Sequence, residues 1–336
     1  MSERTTQWQG HDALRPRDLD SFTGQRELVR ELRVVLGAAR EAGRLPDHLL
    51  FAGPPGLGKT TLAHVVAHEL GLNIISTSGP AIARPGDLAA LVSGINHPSV
   101  LFIDEIHRLE LATEELLYPV MEDGYLDLIV GEKKNGRALR VPLEPLVVVG
   151  ATTQFGLLGA PLRDRFGYIG RLRLYDDEAL AAIVTRSAHL LGLEIDEDAA
   201  RAVAGRSRGT PRVANVWLRR VRDVAVLGEH PRVTIEVVEE ALELFGVDSI
   251  GLDALGREVL SALCTQFNGG PVGLSTLAAA VGEAAVTLEE VYEPFLMRRG
   301  LLARTPRGRV ATPAAYAHLG LTPPISRLFD SSDAAG

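Results

Sequence analysis

Lysine is nearly absent from this chain. Only Lys59, Lys133 and Lys134 occur in 336 residues, and arginine carries the rest of the positive charge. Cysteine is scarcer still. A single Cys264 excludes an internal disulfide framework and fits a reducing compartment. Its apolar neighbours Leu260, Leu263 and Phe267 mark it as a buried structural thiol. No apolar run reaches the roughly 18 residues that a membrane-spanning helix needs, and residues 1–10 are polar, without the apolar core of a signal peptide. Cytoplasm is therefore the expected location, with no membrane partner. The nine histidines show no ligand spacing, so no zinc pattern exists. Positive charge is not in excess either. The formal net charge is −8, so any contact with nucleic acid must rest on arginines concentrated locally. What remains is ordinary for a soluble globular protein, 23% charged and 46% apolar, long enough for two or three domains.

One of the three lysines stands where a compact ammonium is informative. Gly53-Pro54-Pro55-Gly56-Leu57-Gly58-Lys59-Thr60 fits G-x-x-x-x-G-K-[ST], the loop that wraps nucleotide phosphates. Gly53, Gly56 and Gly58 free the backbone to turn its N–H groups inward. In such a loop Lys59 reaches the β- and γ-phosphates, and the Thr60 hydroxyl holds Mg²⁺. His48-Leu49-Leu50-Phe51-Ala52 reads as a buried strand before it. Thr61 opens a helix-like run after it, and a helix N-terminus attracts anions. A Gly-rich turn matching by chance is the competing explanation, and the flanking strand and helix argue against it.

Residues 20–150 alternate apolar runs with helical spacing. Leu28, Leu32, Val35 and Leu36 mark a helix. Strands are expected at 48–52, 72–77, 99–103 and 146–151, with helices between them. This alternation predicts a parallel sheet covered by helices on both faces. Residues 125–141, from Tyr125 to Val141, break the pattern and read as a β-hairpin with an Asn135-Gly136 turn. Its apolar residues have no evident place in the core. Residues 176–246 look helical throughout and predict a small bundle, and 247–253 read as a linker. Short helices at 254–266, 274–281 and 287–299, then a Gly- and Arg-rich ribbon over 300–312, match the winged-helix plan. Residues 1–13 and 331–336 are expected to be disordered.

Several constellations carry chemistry. Leu101-Phe102-Ile103-Asp104-Glu105 is an apolar strand ending in two acids. At the C-terminal edge of a parallel sheet, Asp104 is placed for the Mg²⁺ shell and Glu105 for polarising water as a general base. Acids also end buried strands simply to cap the next turn. Thr153, beside Thr152 at the tip of the strand at 146–151, is the candidate for orienting that water. His107 reads as a structural neighbour of the acids. Arg163 and Arg165 share a loop after that strand. Arginine suits a transferring phosphoryl group, and Arg165 is favoured as a finger reaching a neighbouring subunit's nucleotide, with surface ion pairing as the alternative. Arg212, behind Pro211 at a helix start, is placed to contact the γ-phosphate from the bundle side. Tyr175 is a candidate to pack on the base, and Leu14-Arg15 to cover it from the other side. Arg304, Arg307 and Arg309, in a stretch without acids, are candidates for DNA phosphate contacts.

Longer strings are more specific. They include Leu101-Phe-Ile-Asp-Glu-Ile-His-Arg-Leu109, Glu114-Glu-Leu-Leu-Tyr-Pro119, Pro161-Leu-Arg-Asp-Arg-Phe-Gly167, Arg206-Ser-Arg-Gly-Thr-Pro-Arg212 and Arg304-Thr-Pro-Arg-Gly-Arg309. With the phosphate loop, they make the chain similar, from about Leu14 to Leu319, to the RuvB family of AAA+ ATPases, which drive branch migration of Holliday junctions. The resemblance implies an α/β AAA+ P-loop domain over 14–175, a small helical lid over 176–246 and a C-terminal winged-helix head over 247–330. It implies ATP and ADP as nucleotides, Mg²⁺ as cofactor, and a homohexamer on duplex DNA. It also implies RuvA docking on the hairpin and RuvC acting indirectly at the same junction. By motif, Lys59, Thr60 and Thr61 bind nucleotide and Mg²⁺, Asp104 and Glu105 serve metal and water, Arg165 is the finger and Arg212 the lid sensor. Near the hairpin the chain departs from the family, with Gly124 where an aromatic residue is usual. A clamp-loader-like or protein-remodelling ATPase shares the nucleotide site, and an ATP-gated winged-helix regulator shares the head.

Overall fold

The computed structural model describes residues 14–130 and 137–324. The two ends expected to be disordered and the Asn135-Gly136 turn lie outside the described residues. Helix α1 (Arg26–Glu41) buries Leu28, Val29, Leu32, Leu36 and Ala39, the stripe its spacing predicts. Then come β1 (Leu49–Ala52), α2 (Lys59–Leu70), β2 (Asn73–Ser78), α3 (Pro85–Ser93), β3 (Ser99–Asp104) and α4 (Leu111–Glu122). A hairpin of β4 (Tyr125–Val130) and β5 (Arg137–Pro142) precedes β6 (Leu146–Thr152), the short α5 (Ala160–Arg163) and β7 (Tyr168–Arg171).

The five strands β2-β3-β6-β1-β7 pair in that order, all parallel. The inner strands β1, β3 and β6 are apolar almost throughout because both faces are covered. Leu50, Leu101, Ile103 and Val148 share one cluster with Leu88 and Val92 of α3 and Leu117 and Val120 of α4. Their alternate neighbours Val100, Phe102, Val147 and Val149 are also fully buried, and α2 packs on β2, β3 and β6. Strand β7 is not among the strands expected from periodicity. Tyr168-Ile-Gly-Arg171 is short and interrupted by Gly170, whose added Cβ would meet Leu28 Cδ1 and Phe51 Cδ1 at 3.0 Å. Tertiary packing makes it a strand, not an apolar run.

The hairpin corrects an expectation. Leu126 is fully buried in the sheet cluster, and Val141 and Leu143 pack against it. The base of the hairpin therefore belongs to the core, while Tyr125 and Leu139 stay exposed.

A boundary between Tyr175 and Asp176 divides the chain into two compact units. The second holds a bundle of α6 (Asp177–Leu190), α7 (Glu197–Gly205), α8 (Pro211–Leu227) and α9 (Ile235–Leu244). It also holds the head, with α10 (Ala254–Thr265), α11 (Leu274–Ala280), α12 (Ala285–Thr287), a π-helical turn (Leu288–Tyr292) and α13 (Glu293–Arg298). The antiparallel ribbon of β8 (Leu302–Thr305) and β9 (Gly308–Ala311) comes next, then α14 (Pro313–His318), a helix that the spacing does not predict. Bundle and head meet closely. Arg208 pairs with Asp253 at 3.1 Å, Arg299 donates to the Gly205 carbonyl at 3.1 Å, and a Cβ on Gly251 would lie 2.4 Å from the Arg206 carbonyl oxygen. Cys264 is buried in the head core beside Leu260 and Leu263, as its neighbours predict.

Candidate functional site

Parallel strands bring their C-terminal ends to one edge of the sheet, and ligands of such sheets bind beyond that edge. Here β3, β6 and β1 are adjacent. The acids after β3, the threonines at the end of β6 and the phosphate loop after β1 therefore come together, although they are about 50 residues apart in sequence.

The loop is shaped by glycines in conformations that other residues avoid. Gly53, Gly56 and Gly58 have φ of 151°, 81° and 102°. A Cβ on Gly53 would lie 2.5 Å from the Leu172 carbonyl oxygen, so that position is closed to any side chain. Lys59 opens α2 and is buried. Its Nζ donates to the carbonyls of Gly53 and Pro54 at 2.7 and 3.0 Å, which anchors the ammonium to the loop itself. Thr60 and Thr61 come next on the first turn of α2, half-buried. This set fits a nucleoside triphosphate with Mg²⁺: a glycine cradle, one ammonium, a hydroxyl at Thr60 and a carboxylate at Asp104.

Asp104 ends β3 and accepts the Glu105 backbone N–H at 3.0 Å. Glu105 takes φ 48°, a left-handed conformation uncommon for a non-glycine residue, which turns its side chain out of the strand direction. The Thr153 hydroxyl donates to Glu105 Oε2 at 2.9 Å. His107 Nδ1 lies 3.3 Å from the same oxygen and 2.9 Å from Thr152 Oγ1. Thr152 also accepts the Gln154 backbone N–H at 3.0 Å. The structure therefore joins Glu105 to Thr153 and makes His107 a bridge between Glu105 and Thr152. The sequence marked His107 only as a neighbour, and β3–β6 pairing is what creates the bridge.

Tyr175 sits beneath the loop. Its ring lies against Gly24, where a Cβ would meet Cε1 at 2.5 Å, and its hydroxyl donates to the Leu57 carbonyl at 3.2 Å. Burial pushes that hydroxyl well above its ordinary pKa, so it stays a donor. Tyr175 thus braces the loop through its hydroxyl. Leu14 is buried and Arg15 half-buried at the start of the described chain. Arg212 is exposed on the first turn of α8, in the second unit.

The two loop arginines differ. Arg163 lies over Phe155, 5.7 Å from the ring centroid, with only a 4.0 Å approach to Asp164. Arg165 is held from several sides and its side chain is only 22% exposed.

In the wing, the structure separates the three candidate arginines. Arg307 is exposed in the turn between β8 and β9. Arg304 is exposed and pairs with Glu289 at 2.8 Å. Arg309 is a correction. It is buried, with Nε 2.7 Å from Glu293 Oε1 and Nη2 3.3 Å from Oε2, and Glu293 is 3% exposed. Alternation along β9 turns Arg309 inward, so it ties the wing to α13 and is not placed for a DNA phosphate.

Known proteins share this architecture over residues 14–320. The chain matches the RuvB P-loop domain ("Holliday junction DNA helicase RuvB P-loop domain") over 14–172, the RuvB AAA lid domain over 175–248 and the RuvB C-terminal winged-helix domain over 249–320. It is 54% identical over 321 residues to the Holliday junction branch migration complex subunit RuvB of a Nocardioides species, covering 96% of this chain and 89% of that protein. This chain belongs to the RuvB family. The RuvB of Myxococcus xanthus is 52% identical over 312 residues, 93% of this chain and 91% of that protein. Among solved structures, the RuvB Holliday junction branch migration motor of Thermotoga maritima matches with a TM-score of 0.85 and 46% identity, covering 93% of this chain and all of that one. The fold is accordingly a P-loop domain followed by an AAA lid and a winged helix, and the family is one of ATPases.

Proposed function

We propose that this chain is an ATP-driven motor that moves Holliday junctions, working in the cytoplasm as a ring of six copies around duplex DNA. The observation that carries this reading is the joining, in one chain, of a hydrolytic site at the sheet edge with a winged helix whose turn exposes Arg307. The family match along almost the whole chain supports it. ATP with Mg²⁺ supplies the reactive phosphoryl group and its leaving group. Lys59 binds the phosphates, while Thr60 and Asp104 hold the cation, with Thr61 beside them. Glu105 takes a proton from the water that attacks the γ-phosphorus, and Thr153 holds the Glu105 carboxylate in position through Oε2. Arg165 of a neighbouring copy neutralises the charge that develops as the bond to the departing ADP oxygen breaks. Arg212 reports the γ-phosphate to the lid. Arg304 and Arg307 contact DNA phosphates, so affinity is insensitive to base sequence. The hairpin β4–β5, with Tyr125 and Leu139 exposed, is the surface for RuvA.

The test is branch migration of a synthetic four-way junction, with and without RuvA. Migration is expected to require ATP, to be enhanced by RuvA and to be lost in Glu105→Gln. A sharp sequence-specific footprint without any migration would overturn the reading in favour of an ATP-gated winged-helix regulator.

A further inference from the structure

Arg165 is not simply displayed on the surface. Its guanidinium carbon lies 4.0 Å from the centroid of the Tyr118 ring, a cation–π distance. Nη2 is 3.0 Å from Glu122 Oε1, and Nη1 donates to the Pro161 carbonyl at 2.6 Å. Its Nε is buried without a hydrogen-bond partner. Tyr118 and Glu122 stand four residues apart on α4 and so share one face, one turn from each other. Glu114, another turn back, accepts the Tyr118 hydroxyl at 3.3 Å and steadies the ring.

These contacts have unequal holding power. The stack on Tyr118 fixes the plane of the guanidinium but offers no negative charge. Glu122 offers the charge, but its carboxylate is 55% exposed, and exposed ion pairs are weak. A phosphate carries more charge and more acceptor oxygens than one carboxylate, and it suits a guanidinium fork better. The Nε has no partner on the seat, so departure costs no hydrogen bond at that nitrogen.

We propose that Tyr118 and Glu122 form a seat that parks Arg165 on its own subunit, and that the terminal phosphate on a neighbouring copy draws the arginine off by outcompeting Glu122. Tyr118 and Glu122 are then positioning residues, acting only through Arg165. Tyr118 sets the direction of the guanidinium, and Glu122 sets how readily it departs. This rests on the reading of Arg165 as a finger in trans.

Four variants, read by steady-state ATP hydrolysis of the assembled ring and by nucleotide binding, test it. Glu122→Gln removes the competing charge, and turnover is expected to rise about 3- to 10-fold with nucleotide affinity unchanged. Tyr118→Leu removes the stack, and turnover is expected to fall about 10-fold, again at unchanged affinity. Tyr118→Phe keeps the ring and is expected to restore turnover to within about 2-fold of the parent. In an Arg165→Ala background, none of these changes should have any further effect. If Arg165→Ala itself keeps normal turnover in the ring, the finger reading fails and the seat fails with it. If Arg165→Ala is inactive while Glu122→Gln leaves turnover unchanged or lowers it, the finger stands and the seat alone is overturned. A further 10-fold fall in the residual turnover of Arg165→Ala on adding Tyr118→Leu would likewise show a purely structural role for that ring. Glu122 is exposed at a helix end, so its variant does not depend on refolding of the core.

Discussion

The phosphate loop and the wing both present basic side chains, but they place them by opposite means. Around Lys59 the backbone holds the cation, through two carbonyls of the same loop five and six residues away. In the wing, side chains from other elements decide. Glu293 on α13 draws Arg309 inward, Glu289 in the π turn engages the exposed Arg304, and Arg307 stands exposed in the turn between β8 and β9. Charge in the loop is therefore a local property, whereas charge in the wing is a residue left after tertiary pairing. Counting arginines overstates the wing's capacity for DNA.

The largest expected effects lie at the sheet edge. Glu105→Gln should lower ATP turnover by about 10²- to 10⁴-fold in a steady-state assay while nucleotide still binds, because only proton transfer is lost. Lys59→Ala should weaken nucleotide binding by about 100-fold in a titration, since charge-assisted contacts contribute roughly 1.5–3 kcal/mol each. Normal affinity in Lys59→Ala would break the contrast at its first half. For the wing, Arg309→Ala should act on stability, costing about 3–5 kcal/mol by leaving Glu293 buried and unpaired, read as a lowered denaturation midpoint. Arg307→Ala should do the reverse. Its unfolding should stay within about 0.5 kcal/mol of the parent, while duplex affinity falls a few-fold and the salt dependence weakens by about one counterion. Equal effects of the two substitutions on DNA binding would erase the distinction drawn within the wing.

The smallest effect concerns His48, next to β1. Val148 N–H donates to its Nδ1 at 3.0 Å, so that nitrogen is unprotonated and Nε2–H donates to the Met121 carbonyl at 2.8 Å. Burial holds its pKa below the ordinary value. The unfolded chain thus takes up this proton at higher pH than the folded one. His48's share of stability is complete above about pH 6.5 and declines as pH falls through the folded pKa. His48→Gln should therefore flatten the pH dependence of the unfolding temperature just below about pH 6.5. An unchanged slope would mean that the imidazole does not titrate on unfolding.

Periodicity carried most of the fold. The inner strands β1, β3 and β6 are short apolar runs, and helix α1 carries an apolar stripe at helical spacing. It failed at β7 and α14, which are short and owe their conformation to neighbours, and at the hairpin base, where Leu126 reaches a core cluster that the linear pattern does not reveal. At the site, each motif was legible because its chemistry is contiguous: glycines and Lys59 in one loop, Asp104 and Glu105 at one strand end. Tyr118 was legible only as part of a family string, and Glu122 lies in none of them. Nothing in an ordinary helix face announces that an arginine some 40 residues later will lie on it.

The sequence by itself determined the nucleotide loop, the paired acids, the alternation that makes a parallel sheet, and the winged-helix plan, because each is written in residues adjacent in the chain or repeating at a fixed period. Tertiary structure decided which cations are available. Ion pairs and stacking depend on elements brought together only by folding, and a guanidinium buried against a carboxylate has a different use from the same group in water. That is why Lys59 was recognisable from eight residues, while the contacts that hold Arg165 and Arg309 came into view only with Tyr118, Glu122 and Glu293 in place.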